Sequence, residues 1–498
     1  MIDINDPVEL AKALMLTLHE DLPRLIRIDN YLHDHSDDPY TPDSAGAEYR
    51  LLAARSKTNL MPLVVDASAQ GLYVDSVRPG RKVPEADEDG AEAFVLPEWV
   101  HWQGSRLDGR QIAVHRGALS YGHSFTVTEK RNGKTRTKGL SALNTSAIFE
   151  DPANDETPLA AFSVTDWPKA TNKSLGTARM WNDTTEFEVT FQLLSDTENI
   201  VIEEIGPHGS KECPITRFAA RIDLEGRTMG VVEPLLILQD RINQTVFDML
   251  VVQSGSAFKV RTVTGMAPPY KMTYEIAADG SKKLVPLLDP DTQMPVLADI
   301  EINAMKLLYA ENKETKFGTL DETPLDGYLA AIEDCIKLLS AISQTPPFFL
   351  IGAIANLSAD ALQAAMTALE RKIAEFRNVF GESWERVFRL AAELEGIPGA
   401  MDDYDTEVIW RDTQSRVLAP IADGIGKLVQ AGAPIEGLLD LLPGMTQNMK
   451  REWLEMMANN QEKLEEQDAK LALASSQLRN RNARSIPAPA ATPAAPAA

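Results

Sequence analysis

The chain has 498 residues, 44% of them apolar and 24% charged, with a formal net charge of −24. That length exceeds one ordinary core and predicts roughly two to four domains. The acidic balance argues against a tight phosphate-gripping protein, whose affinity would come from Lys and Arg, and the longest strongly apolar run, Phe348 to Ala355, falls well short of the about 20 residues of a membrane span.

The N-terminal Met-Ile-Asp-Ile-Asn-Asp is acidic and lacks the basic and apolar regions of a secretory signal. Cys213 and Cys335 are the only cysteines, so free thiols in a reducing compartment are expected rather than a disulfide framework. Residues 7 to about 34 read as a helix, with Leu14, Leu18, Leu22, Leu25 and Leu32 mostly at 3–4 spacing. His33 to Ala47 is a polar loop. Tyr49 to Val74 has helical spacing again, Val83 to Ala91 is an acidic loop, and Trp99 to Gly122 reads as an amphipathic helix.

From about 123 to 230 the period falls to two. Ser124-Phe-Thr-Val-Thr alternates, and Asn132-Gly133 supplies a hairpin turn. Phe187, Val189, Phe191 and Leu193 alternate with Glu186, Glu188, Thr190 and Gln192, a half-buried strand, and Ile200 to Ile205 is another.

Helices return at Gly230. Leu235, Leu238, Ile242, Val246 and Met249 form one stripe. Residues 256 to 322 break the pattern with Gly265, Pro268, Pro269, Gly280, Pro286, Pro290 and Pro295, leaving short strands and a helical patch near Ile300 to Tyr309. Leu325, Tyr328, Ile332, Cys335, Leu339 and Ile342 make a second stripe, which Thr345-Pro346-Pro347 must end. Ser358 is a suitable N-cap, with Asp360 in the first turn. From Leu362 through Met366, Leu369, Ile373, Phe376, Phe380, Trp384, Val387 and Ala391 to Leu394 a 3–4 stripe runs far beyond the usual three turns. Broken helices follow to about Met457, then a polar helix-prone stretch to 483, then a Pro/Ala-rich tail expected to be disordered. The predicted fold class is α+β, predominantly helical.

Catalytic motifs are nearly absent. Gly133-Lys134-Thr135 imitates the end of a phosphate loop, but Thr128 stands where the first glycine belongs. Glu85, Asp87, Asp89 and Gly90 imitate a calcium loop, but Leu96 occupies its twelfth position. His33, Asp34, His35, Asp37 and Asp38 have ligand chemistry and read better as a polar loop. Cys335 lies on an apolar stripe and reads as a small buried hydrophobe. Lys130, Arg131, Lys134, Arg136 and Lys138 crowd one hairpin, and without interleaved aromatic platforms this reads as a solvated hairpin. No enzyme activity, cofactor or metal is expected.

Several segments together resemble the portal protein family, the head–tail connector subunits of long-tailed double-stranded DNA bacteriophages. They are Thr58-Asn59, Leu63-Val-Val-Asp66 and Gly71-Leu72-Tyr-Val-Asp75; Trp102, Leu107-Asp108, His115-Arg116 and Ala118-Leu119-Ser-Tyr-Gly122; Ile148-Phe-Glu-Asp-Pro152; and Cys213-Pro-Ile-Thr-Arg217-Phe218, with Gly230 leading into Leu238-Gln-Asp-Arg-Ile-Asn243. The strongest is Thr345-Pro-Pro-Phe-Phe-Leu-Ile-Gly352, then Asn356-Leu-Ser358-Ala-Asp-Ala-Leu362 and Phe380-Gly-Glu-Ser-Trp384. Each is weak alone; their order and spacing carry the signal, from roughly residue 20 to 395.

The resemblance implies a ring of about twelve copies at one capsid vertex. It implies a wing (1–229 and 358–400), stem helices (230–255 and 323–344), a clip (256–322), a tunnel loop (345–357), a crown (401–460), and a polar helix with a Pro/Ala tail (461–498). The implied stem positions are Leu238, Ile242, Asn243, Ile332 and Leu339, whose stripes would find partners in neighbouring copies. The implied channel positions are Pro346, Pro347, Phe348, Phe349, Leu350, Ile351 and Asn356. Lys271, Lys282 and Lys283 are candidate clip docking residues. Since Pro346 to Leu357 carries no charge, steric and apolar contact with passing DNA is expected there, with an acidic wall limiting adhesion. The implied partners are further copies of the chain, double-stranded DNA, the terminase motor, a head–tail adaptor, and capsid and scaffold proteins, with no membrane; the implied location is the virion, after assembly in the host cytoplasm. The competing readings are another oligomeric virion or scaffold protein, and a hydrolase with an unrecognised site.

Overall fold

A computed structural model of the chain describes residues 6–42, 46–81, 96–169, 175–257, 261–264, 270–276, 280–290, 292–296, 316–319, 324–352, 359–411, 418–439 and short pieces between 442 and 471. In order the elements are α1 (Pro7–Leu32), α2 (Ala47–Ser56), α3 (Met61–Ala69), β1 (Val74–Arg78), α4 (Pro97–Gly104), α5 (Leu107–Tyr121), β2 (His123–Arg131), β3 (Lys134–Leu140), β4 (Thr145–Ile148), β5 (Ala160–Asp166), β6 (Gly176–Trp181), β7 (Thr185–Phe191), β8 (Val201–Pro207) and β9 (Ile215–Ala219). Then come α6 (Leu236–Ala257), β10 (Arg261–Thr264), β11 (Met272–Ile276), β12 (Lys282–Pro286), β13 (Lys316–Thr319), α7 (Asp326–Ser343), α8 (Pro347–Ile351), α9 (Ala359–Leu394), β14 (Glu407–Trp410), α10 (Leu418–Gln430) and α11 (Ile435–Leu438). The fold is mixed α+β. Among the described residues no helix is long and apolar enough to cross a membrane.

The chain divides into two compact units. One comprises Met1–Asp37, Asn59–Gln239 and Ile336–Ala498; the other comprises Asp38–Thr58 and Asp240–Cys335. The first unit is built on an antiparallel five-stranded sheet in the order β4-β5-β6-β7-β8. Its period-2 strands turn Phe162, Met180, Val189 and Phe191 toward the apolar face of α1, where Leu10, Leu14 and Leu18 are buried. α1 starts cleanly because the Asp6 carboxylate accepts the Val8 N–H at 2.9 Å and Pro7 needs no donor. A second sheet, β3-β2-β9, begins with a tight hairpin in which Asn132 and Gly133 both adopt positive φ, 52° and 72°. Those angles are what a two-residue hairpin turn of the primed type requires. β14 pairs antiparallel with β1, so the segment expected to open a crown begins with a strand of this unit.

α9 is the spine of the first unit. Its 36 residues extend about 54 Å. Phe376, Phe380, Trp384, Val387, Phe388 and Ala391 on one face are all 1% exposed or less. Each such large side chain contributes about 1.5–3 kcal/mol on burial.

In the second unit Asp38 to Thr58 is tied to α6: Thr58 N–H donates to Asn243 Oδ1 at 3.1 Å and Tyr40 N–H to Gln244 Oε1 at 2.8 Å. β10 and β13 pair antiparallel and form a neck that closes the intervening insert, while β11 and β12 form a separate two-stranded sheet.

Two predicted helices are each two. The stretch Tyr49 to Val74 comprises α2, α3 and the start of β1, because Asn59 leaves the helix and its side chain accepts the Met61 N–H at 3.1 Å. Trp99 to Gly122 is divided into α4 and α5 by Arg106, whose φ is 59°. The acidic loop Val83–Ala91, the helical patch Ile300–Tyr309, Ser358 and the Pro/Ala tail lie outside the described residues.

Candidate functional site

Trp102, His115, Phe218, Phe380 and Trp384, from four of the segments that carry the family resemblance, meet in the core of the first unit. Trp102 Nε1 donates to Asp108 Oδ1 at 2.7 Å, and its ring stacks on Phe388 and meets Trp384 edge-on. Trp384 Nε1 donates to His115 Nε2 at 2.8 Å, which assigns the imidazole proton to Nδ1, where it donates to Leu72 O at 3.1 Å. The His115 ring lies flat on Phe380 with centroids 5.3 Å apart. Burial pushes His115 down to about 3, so it is neutral at ordinary pH. Both nitrogens are engaged, and the imidazole serves the fold. Gly122 has φ +96° and faces the Thr228–Gly230 backbone, while a Cβ on Gly230 would lie 2.2 Å from Ser120 O. Only glycine permits that approach of two backbones.

Three cations of the basic hairpin, Lys130, Arg131 and Lys138, have partners within the chain. Lys130 Nζ donates to Leu394 O at 2.7 Å, and Arg131 pairs with Glu129 at 2.7 Å and Glu186 at 3.2 Å. Lys138 pairs with Glu129 at 3.0 Å, and buried Thr135 donates to Glu395. The hairpin is thus fastened to the C-terminal end of α9 through Lys130 and Thr135, while Lys134 stays exposed. Of Gly133-Lys134-Thr135, the glycine lies in the turn and the other two open β3. Among the described residues no group of His, Cys, Asp and Glu is placed to hold a metal ion. Asp38 of the His33–Asp38 stretch pairs with Lys57 at 2.6 Å, and His33 lies 3.1 Å from Asp29. The imitation calcium loop lies outside the described residues. Cys213 and Cys335 are both free and buried, and burial pushes the Cys213 thiol up to about 12.

The expected stem positions lie on α6 and α7. Leu238, Ile242, Asn243 and Leu339 are 7%, 1%, 2% and 0% exposed, and Ile332 is half-buried. Among the described residues, the large apolar side chains that remain exposed on these helices are Ile237, Leu329, Leu338 and Ile342.

The expected channel positions Pro346 to Ile351 follow directly after α7. Pro347–Ile351 is a short helix, α8, because Pro347 sits at its first position and Gly352 ends it in the left-handed conformation, φ 70°. The four apolar residues divide: Leu350 is buried, Phe348 is half-buried and stacks on Phe349, and Phe349 and Ile351 are 38% and 46% exposed. Pro346 is buried and Pro347 exposed; Asn356 lies outside the described residues. Lys271, Lys282 and Lys283 are exposed in the second unit, Lys282 opposite Ile276 and Lys283 opposite Glu275 across the β11–β12 ladder.

Sequence reasoning missed the buried cations of α9. Arg386 is 1% exposed and donates to Glu212 at 3.0 Å, Thr157 at 2.7 Å and Cys213 O at 2.9 Å. Lys372 is 2% exposed and donates to Ser343 O at 2.8 Å. Its signal was available: Lys372 follows Leu369 by three and precedes Phe376 by four, squarely on the apolar stripe.

A family model described as phage portal protein, SPP1 Gp6-like, matches residues 17–463. A stretch of 147 residues is 29% identical to the portal protein of Mycobacterium phage D29, covering 29% of this chain and 30% of that protein. Another of 129 residues is 30% identical to the portal protein of Mycobacterium phage L5, covering 26% of each. The matched stretches thus span less than a third of either relative. The family model, by contrast, runs from within α1 through the five- and three-stranded sheets, α6, α7 and α9, and on this extent the chain belongs to the phage portal protein family.

Proposed function

We propose that this chain is a virion component that assembles with copies of itself into a ring at a capsid vertex, through which the genome is packaged and ejected. The ring would form in the host cytoplasm and dock the terminase motor and later the head–tail adaptor. The observation that carries this reading is the family match over residues 17–463. In it α6 and α7 are stem helices, 256–322 is the clip with Lys271, Lys282 and Lys283 as docking candidates, and the 358–400 stretch returns to the wing. Leu238, Ile242 and Leu339 then hold the chain's own helices, while Ile237, Leu329, Leu338 and Ile342 are left to meet neighbouring copies. The work of ATP hydrolysis belongs to the motor. DNA slides past the exposed Phe349 and Ile351 and an acidic wall, a combination that avoids the phosphate contacts that would hold it.

Negative-stain imaging with native mass measurement tests the proposal. Ring-shaped particles about twelve times the 54.7 kDa chain, with an open axis, are expected. A monomer at every concentration, both alone and with scaffold protein, would overturn it.

A further inference from the structure

Arginines of the first unit that leave bulk solvent reach a carboxylate of the same unit: Arg24 meets Asp21 at 2.6 Å, Arg131 meets Glu129 at 2.7 Å, Arg386 meets Glu212 at 3.0 Å and Arg389 meets Glu156 at 2.5 Å. Arg217, half-buried on β9, departs from this pattern. Among the described residues no carboxylate lies within ion-pair distance of it, and Asp155 acts on it only from farther off. Its guanidinium sits over the Phe149 ring, 3.9 Å from the centroid, and Nη2 donates to Pro152 O at 2.8 Å. A guanidinium carries five N–H donors in one plane. The rest of them have no acceptor among the described residues.

Arg217 lines a cavity of about 310 Å³ in the first unit, walled by α1, β2, β4 and β9. That volume is at the small end of ligand sites, which run to roughly 300–1,000 Å³. Leu18, Phe125, Ile148 and Phe149 give it an apolar wall. His123 adds a second polar group: its Nδ1 lies 2.8 Å from Thr228 Oγ1. With that hydroxyl donating, the ring proton sits on Nε2, which has no partner among the described residues. Asp21 also lines the cavity, but Arg24 takes both of its oxygens, at 2.6 and 3.0 Å. It is therefore not available to neutralise Arg217.

We propose that this cavity is a binding site for a carboxylate carried on a short apolar stem. Holding a guanidinium against an aromatic ring with most of its donors unmatched costs free energy. An anion supplies the missing acceptors, and the planar fork of Arg217 matches a carboxylate through two parallel hydrogen bonds. His123 Nε2–H donates to the same group, and the stem lies along Leu18, Ile148 and Phe149. A dianion such as a phosphate monoester would find only one uncommitted cation here and would face Asp21 across the cavity, so a monocarboxylate is the better fit. The site lies wholly within the first unit and stands whatever the chain assembles into.

Titration calorimetry of the full chain with hydrocinnamate, its neutral amide and acetate tests the site. Hydrocinnamate should bind, and the amide, which lacks the charge, and acetate, which lacks the stem, should each bind about tenfold or more weaker. Arg217→Met should weaken hydrocinnamate to the level of the amide and leave the amide unchanged; Arg217→Lys, which keeps the charge without the fork, should fall between. No binding of hydrocinnamate, equal binding of the amide or of acetate, or hydrocinnamate binding that survives intact in Arg217→Met overturns the proposal. If both variants fail to fold, the contrast of acid with amide in the wild type decides. Acetyl-Phe-Asp-amide, whose carboxylate belongs to a side chain, reads the source. Competition with hydrocinnamate assigns the site to an acidic side chain of a partner protein, and binding of the free acid alone assigns it to a small soluble acid; both outcomes support the site.

Discussion

Trp384 and His115, 269 positions apart in the chain, share a 2.8 Å hydrogen bond in the core of the first unit. The bond fixes which imidazole nitrogen carries the proton, and through Leu72 O it ties α9 to α5 and the turn before β1. Trp384→Phe keeps a six-membered aromatic ring but removes the pyrrole part with its donor, leaving His115 Nε2 buried and unsatisfied. The cost of such a group is about 1–3 kcal/mol. The urea midpoint should fall accordingly with an unchanged m-value; a midpoint within experimental error of wild type would show that the bond contributes nothing.

Arg386 gives a sharper case. Its guanidinium is 1% exposed while its partner Glu212 retains 42% exposure. Arg386→Met therefore abandons Cys213 O and Thr157 in a buried setting, at about 3–5 kcal/mol. Glu212→Gln keeps hydrogen bonding near solvent and should cost well under half as much. Equal losses in the two variants, measured by thermal unfolding, would contradict this asymmetry.

The architecture was legible wherever periodicity is physical necessity. The α9 stripe from Leu369 to Leu394, the Asn132-Gly133 turn and the alternation of β7 follow directly from one-sided burial. The breaks at Asn59 and Arg106 were not legible, since each depends on one residue's backbone conformation, which apolar spacing does not encode. Nor was the helical state of Pro347–Ile351: a proline pair ends one helix and starts the next with the same chemistry. The stripes of α6 and α7 were legible as stripes, but a stripe records that partners exist, not whether they come from the same chain. Leu339 and Ile342 illustrate the gap, being neighbours on one pattern with opposite exposure, 0% and 52%.

Acid should weaken the fold through its buried histidines. Burial pushes His115 down to about 3, and His101 and His123 to about 4. In the unfolded chain each protonates near 6.5. Between these values the unfolded state binds more protons, so stability is fully present above about 6.5 and is lost as the pH falls toward 4, each group contributing about 1.4 kcal/mol per pH unit within its window. The melting temperature should drop markedly between about pH 7 and pH 4.5, and His101→Gln, which keeps a partner for Thr137, should shallow the drop. Identical melting temperatures at the two values would exclude this origin of acid sensitivity.

α8 separates a folding role from a surface role within three residues. Leu350 is 8% exposed between Phe349 at 38% and Ile351 at 46%. Leu350→Ala should destabilise the protein by about 2 kcal/mol or more through the cavity it leaves, detectable in denaturant melts. The double substitution F349A/I351A removes apolar surface that the chain itself does not cover, so it should leave unfolding within about 0.5 kcal/mol of wild type and leave ring formation intact. Its expected defect lies in retention of packaged DNA, measured as nuclease-protected genome in particles assembled with the variant. Full retention with an unaltered melt would mean that these two side chains do not touch the genome. A large loss of stability would instead place them in the interior, and the channel assignment of α8 would fall with it.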